Sequence, residues 1–211
     1  MRNHEPNPKE FYNTVMPDKL GKDYESARWG TSPLRSAQYT MTAQTVRQHV
    51  LPVLKDAGHI LEVGPGPGTW TKLLLQANLR AEYTLVDIST AMFAQAKNAL
   101  PRNAHITFIE SDLMQFRTNE KFDGFFSSRA IEYMPDKVAA AAVISSLLTP
   151  GAYGAIITKT PKYFLDRLRG IFAQGESILR VRAVHFGDFG PEPRAKLSDV
   201  ARQHGTALLM A

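Results

Sequence analysis

Between an apolar strand and a helix the chain carries glycines at alternate positions, in Ile60-Leu61-Glu62-Val63-Gly64-Pro65-Gly66-Pro67-Gly68-Thr69. Few features narrow a fold more. Glycine lets the backbone adopt positive φ and approach a ligand with no Cβ in the way. The first N–H groups of the following helix lack intrahelical partners, so they favour anionic or hydrogen-bond-accepting groups. A strand, a glycine loop and a helix that together hold a nucleotide-like ligand are therefore predicted. The dinucleotide fingerprint G-x-G-x-x-G requires a third glycine at position 69, where this chain has Thr69, and that argues against NAD.

The rest of the chain repeats the same alternation. Apolar or small residues at Tyr39, Ala43, Val46, Val50 and Leu54 fall at helical spacing over 36–54, with Pro52 disturbing the last turn. Strands are read at 59–63, 83–88, 105–109, 122–127 and 153–160. Helices are read at 69–77, 89–100 with Ser89 as N-cap, and 135–148 with Pro135 in its first turn. Strands alternating with helices at this spacing predict a mostly parallel sheet covered on both faces, a three-layer α/β/α fold. Ligands of such sheets sit beyond the carboxyl ends of the strands. Residues 1–35 read as an irregular or partly helical cap and 36–160 as the ligand-binding core. Residues 161–190 read as an inserted lid, and 191–211 as a last helix (193–204, closed by Gly205) and strand (206–211). One domain over 1–211 is expected, in keeping with the 211-residue length.

Composition excludes several classes. Hydrophobic residues at 44% and charged residues at 21% fit a globular chain rather than a disordered one. With no cysteine there is no disulfide, thiolate nucleophile or zinc–thiolate site, and no metal site is expected. The opening MRNHEPNPKE has no apolar signal core, and the longest apolar stretch, 138–148, is too short to span a bilayer. A cytoplasmic enzyme is therefore expected, with peripheral membrane contact and oligomeric state left open. A formal charge of +5, from 25 Lys and Arg against 20 Asp and Glu, permits an anionic partner. No basic run interleaved with aromatics suggests nucleic acid.

The glycine segment resembles motif I of the class I S-adenosylmethionine-dependent methyltransferases, an acidic residue followed by G-x-G-x-G, matched by Glu62, Gly64, Gly66 and Gly68. Four further segments resemble that family in order. These are Asp87 closing Tyr-Thr-Leu-Val-Asp, Ile109-Glu110-Ser111-Asp112-Leu113, Phe122-Asp123-Gly124-Phe125-Phe126-Ser127-Ser128, and the turn Leu147-Leu148-Thr149-Pro150-Gly151. The resemblance implies a Rossmann-like, doubly wound fold and S-adenosylmethionine as cofactor. In it Asp87 takes the ribose hydroxyls, Asp112 the adenine amino group, and Ile88, Leu113 and Ser128 line the same site. It also implies a last antiparallel strand, for which residues 206–211 leave no chain, so that strand is expected to be missing.

The family's histidine-containing segment after strand four is absent, being Arg129-Ala130-Ile131-Glu132-Tyr133-Met134 here. Glu132 and, from the lid, His185 are the candidate bases, while an amine or phenolate acceptor needs little beyond alignment. Asp23–Trp29 resembles the cap of small-molecule members, with Tyr24 and Trp29 as its aromatics. The reading is methyl transfer to a small-molecule, glycan or lipid-linked acceptor. RNA or protein methylation, and donor binding without catalysis, are the alternatives.

Overall fold

The computed structural model describes residues 7–16 and 24–157, and the backbone of 182–185. Six strands form one sheet in the order β3-β2-β1-β4-β5-β6: β1 His59–Val63, β2 Glu82–Asp87, β3 His105–Glu110, β4 Phe122–Ser128, β5 Leu148–Ile157 and β6 Arg182–His185. The first five are parallel, and β6 runs antiparallel to β5. The order reverses at β1 and β4, and that switch point is where open α/β sheets bind ligands.

The period of two along each strand sorts side chains onto two faces. Ile60, Tyr83, Leu85, Phe126, Ala155 and Ile157 point to one face. There they pack against helices α3 (Pro33–Thr45, continued by a π-helical turn Val46–Val50 and α4, Leu51–Leu54), α5 (Thr71–Ala77) and α6 (Thr90–Ala99). Leu61, Val63, Val86 and Phe125 point to the other, against α7 (Lys137–Leu147) and the segment holding Leu113 and Phe116. Ile60 and Leu61 are both fully buried, on opposite faces. Each such side chain contributes about 1.5–3 kcal/mol by leaving water.

Local chemistry sets the helix ends. Ser32 caps α3 by accepting from Arg35 N, with Pro33 in the first turn, so the helix begins before position 36. Pro52 has no N–H to give, and the π-helical turn Val46–Val50 lies where the regular ladder is interrupted. Ser89 caps α6 as expected. Asp136 caps α7 through Val138 and Ala139 N–H groups, so Pro135 stands just outside it. Thr149–Ala152 loop out of β5, since Phe122 pairs Leu148 while Gly124 pairs Tyr153, and Gly151 takes φ +86° there.

One expectation is corrected at the β5 edge. An antiparallel strand is present beside β5, where the sheet was expected to lack one, and it comes from 182–185, inside the stretch read as a lid. Four residues, Arg-Ala-Val-His, carry no hydrophobic pattern, and their strand is defined by backbone pairing with β5. The remainder of the expected lid, the helix 193–204, the strand 206–211 and the end of the fifth strand at 158–160 lie outside the described residues.

Ahead of the core, α1 (Pro8–Glu10) continues into a π-helical turn, Phe11–Val15, and α2 covers Tyr24–Trp29. Contacts from far along the chain hold both in place. Asn13 Oδ1 accepts from Ser89 Oγ at 2.8 Å and Ala91 N at 3.3 Å, at the start of α6. Lys9 Nζ pairs with Glu110 and Lys72 Nζ with Glu25, each at 2.8 Å. Together they lay the amino-terminal segments across the carboxyl ends of the strands.

Candidate active site

The loops at the strand ends continue the sheet by one hydrogen bond each. Gly64 N donates to Val86 O at 2.8 Å, Ser111 N to Asp87 O at 3.0 Å, and Arg129 N to Ile157 O at 2.7 Å. The loops are thereby fixed against one another, and a cavity of about 660 Å3 opens over them. That is the size of a small-molecule site.

One half of the wall comes from the strand ends: Gly64, Gly66, Asp87, Ile88, Asp112, Leu113 and Ser128. Gly66 has φ +56°, and a Cβ there would meet nothing within 4 Å, so the loop presents bare backbone to open space. Asp87 is held from two sides, its Oδ2 accepting from Gly66 N at 3.0 Å and its Oδ1 from Ser89 N at 2.9 Å. A carboxylate has about four acceptor sites, so these donors together with Ile88 N–H leave capacity for a ligand hydroxyl. Burial pushes the Asp87 carboxyl up, and the backbone donors of Ser89, Gly66 and Ile88 pull it back. Asp112 is exposed on the wall and accepts from Met114 N at 2.9 Å. Ser128 Oγ is buried with no protein partner.

Two expected site residues stand behind the wall. Glu62 is 1% exposed, accepts from Thr71 Oγ1 at 2.9 Å, and is not on the cavity surface. Burial, with Asp87 nearby, pushes its carboxyl up to about 8, against the opposing pull of Thr71. Gly68, at φ +83°, backs onto Leu100, where a Cβ would come within 3.0 Å of the side chain. Both residues shape the loop from beneath.

The other half of the wall is the amino-terminal cover with the β4 loop: Phe11, Tyr12, Met16, Tyr24, Arg28, Trp29, Arg35, Arg129, Tyr133 and Met134. Trp29, Tyr39 and Trp70 form one aromatic cluster, Tyr39 stacked on Trp70 at 5.4 Å. Trp29 Nε1 is buried without a partner. Tyr12 donates to Tyr133 at 3.2 Å, and burial drives both Tyr12 and Tyr24 above the usual phenol range. Sequence reasoning marked only Tyr24 and Trp29 here, through the Asp23–Trp29 resemblance, and no periodic signal singles out Tyr12, Arg28 or Arg35.

Of the two candidate bases only Glu132 has a described side chain, and it is not brought into this half. Glu132 is off the cavity surface, and both of its oxygens face Arg129 Nε, at 3.0 and 3.1 Å. His185 pairs through its backbone with Tyr153, and its side chain lies outside the described residues. Arg129 itself has φ +63°, a left-handed conformation that a non-glycine residue adopts at a cost, at the point where β4 turns into the site.

A glycine loop, an acidic residue ending β2 and a cavity at the switch point define a Rossmann-like nucleotide-binding domain. Residues 60–151 match the model of a family described as a methyltransferase domain. The trans-aconitate 2-methyltransferase of Escherichia coli O157:H7 (strain EC4115 / EHEC) is 30% identical over 113 residues, 54% of this chain and 43% of that protein. The matched stretch thus spans less than half the length of that relative.

Among solved structures, magnesium protoporphyrin IX methyltransferase (ChlM) from Synechocystis PCC 6803 superposes with a TM-score of 0.58 at 20% identity, over 81% of this chain and 80% of that one. N-methyltransferase NodS from Bradyrhizobium japonicum WM9 does so with 0.54 at 20% identity, over 69% and 71%. At such identities the likeness is one of fold. Over residues 60–151 the chain is thus similar to methyltransferase domains, and its described core shares the fold of these two solved methyltransferases.

The residues present fit S-adenosylmethionine. Gly66 leaves room where backbone and ligand would meet, the Asp87 carboxylate is pre-set by backbone donors, and the Ser128 hydroxyl on the same wall is buried and unpaired.

Proposed function

We propose that this protein moves a methyl group from S-adenosylmethionine to a small-molecule acceptor. The observation that carries the reading is the division of one cavity into a polar half on the strand ends and an aromatic, donor-rich half under the cover. When bound, S-adenosylmethionine supplies a sulfonium-activated methyl group.

This chain's residues do the rest. Asp87 accepts the ribose hydroxyls, Gly64 and Gly66 let the backbone lie close, and Asp112, Ile88 and Leu113 enclose the base. Ser128 offers its hydroxyl, while Glu62 and Gly68 brace the loop from behind. Phe11, Tyr12, Met16 and Tyr133 cover the acceptor and exclude water, which leaves alignment as the main source of rate. A single methyltransferase domain in the cytoplasm is part of the same proposal.

Calorimetric titration with S-adenosylhomocysteine, followed by transfer of labelled methyl to a panel of small acceptors, tests it. Binding with transfer to small molecules is expected. Binding with transfer to RNA or protein alone, or to nothing, contradicts it.

A further inference from the structure

We propose that Asn13 is a positioning residue for the methyl donor, and that the π-helical turn Phe11–Val15 is a clasp that couples the donor half of the cavity to the acceptor half. The inference deepens the methyl-transfer reading and rests on it. Two neighbouring side chains of that turn, gripping two different loops, carry it.

Asn13 reaches the loop after β2. Its Oδ1 accepts from Ser89 Oγ at 2.8 Å, from Ala91 N at 3.3 Å and from Thr90 Oγ1 at 3.5 Å. Ser89 is fully buried, and each of its polar groups is engaged. The hydroxyl donates to Asn13 and accepts from Met92 N, the carbonyl accepts from Phe93 N, and the N–H donates to Asp87 Oδ1 at 2.9 Å. One residue thus stands between Asn13 and the carboxylate assigned to the ribose. Asp87 and Ile88 line the cavity and Asn13 does not, so Asn13 acts on the donor through Ser89.

Tyr12 reaches the other loop. Consecutive residues of a helical turn do not face the same way. Tyr12 turns to the segment after β4, its hydroxyl donating to Tyr133 at 3.2 Å with the two rings edge-on. Both tyrosines line the cavity. The turn therefore bridges the loops that follow β2 and β4, the strands on either side of β1.

No residue of Pro8–Val15 is buried. A segment without a buried apolar anchor opens readily, so these polar contacts set its seat. Ribose hydroxyls on Asp87 would fix the carboxylate that orients Ser89 N–H, and a fixed Ser89 presents its hydroxyl to Asn13. Donor binding then seats the turn, and the seated turn brings Tyr12 onto Tyr133 over the acceptor half. The coupling is reciprocal, since a turn that prefers the occupied site raises affinity for the donor.

Calorimetric titration with S-adenosylhomocysteine, together with backbone hydrogen exchange of the full chain with and without that ligand, tests the clasp. In the parent the ligand should slow exchange across 11–16 roughly 5-fold or more, beyond its effect on the cavity loops. Asn13→Leu should abolish that slowing and weaken S-adenosylhomocysteine by about 3- to 10-fold, the worth of one ordinary hydrogen bond. Asn13→Asp should restore both, because the contacts at the start of α6 use Oδ1 only as an acceptor. Tyr12→Phe should keep the slowing at 88–91 and lose it at 131–134. Ligand-induced slowing confined to the cavity loops, unchanged affinity in Asn13→Leu, or Asn13→Asp behaving no better than Asn13→Leu overturns the proposal. Should Asn13→Leu also melt lower, rescue by Asn13→Asp of the ligand-induced slowing separates positioning from simple support of the fold. Failure of S-adenosylhomocysteine to bind the parent defeats the methyl-transfer reading itself, whereas binding that depends on Asp87 and leaves 11–16 unchanged defeats the clasp alone.

Discussion

Gly66 N–H donates to Asp87 Oδ2 at 3.0 Å, tying the glycine loop after β1 to the last residue of β2. The carboxylate that would take the ribose therefore also sets the loop that would lie along it. Loop shape and ligand recognition share one group, and substitutions here separate into those that break the loop and those that fill the cradle.

Gly64 and Gly66 should divide in that way. Both have positive φ, which costs a β-carbon about 1–2 kcal/mol. At Gly64 the new Cβ would stand 2.2 Å from Ala130 Cβ, adding an overpacking cost of about 1–3 kcal/mol. Gly64→Ala should therefore melt well below the parent. Gly66→Ala meets no protein atom, so it should keep most of its stability and lose donor affinity. Thermal melts and calorimetry on the two variants check this, and the reverse ranking would contradict the assignment of Gly66 to the cradle.

Ser128 should behave as a ligand group rather than a structural one. Its hydroxyl is buried and unpaired, a costly state that a ligand can relieve. Ser128→Ala should leave the free protein as stable as the parent or more so, and weaken S-adenosylhomocysteine by about 2- to 10-fold, the worth of one ordinary hydrogen bond. A marked drop in melting temperature would show instead that the hydroxyl supports the fold.

Glu62 gives the stability a pH dependence. Its carboxyl titrates at about 8 in the folded chain against 4.5 for the ordinary group, so the folded state holds the extra proton between those values. That contribution is fully present below pH 4.5 and is lost as pH rises toward 8, with a slope approaching about 1.4 kcal/mol per pH unit inside the window. Glu62→Gln should flatten this part of the profile. Denaturant midpoints of both proteins between pH 5 and 8.5 measure it, and parallel profiles would contradict a buried neutral Glu62.

The parts of this architecture legible in the sequence are those encoded locally. β1 is read at its observed bounds, β2 is shifted by one residue, and Ser89 announces α6, because period and capping chemistry are short-range signals. Gly66 and Asp87 are legible for the same reason. The cap over 1–35 is legible as a segment but its seat is not, since that depends on contacts such as Asn13 with Ser89 and Lys9 with Glu110, which no pattern within either segment encodes. Glu132 shows the same limit. Its place after β4 put it within reach of the site, while its carboxylate pairs with Arg129, three residues earlier in the turn. β6 escaped because its place is defined by pairing with β5, not by its own side-chain pattern.

The most direct test of the central claim is calorimetric titration of S-adenosylhomocysteine into the parent and into Asp87→Ala, with NAD as the comparison ligand. The parent should bind S-adenosylhomocysteine and not NAD. Loss of the two ribose contacts, about 1.5–3 kcal/mol for a charged acceptor, should weaken the variant roughly 10- to 100-fold. Equal affinity of parent and variant, or NAD binding at the same site, would contradict the assignment of this cavity to a methyl donor.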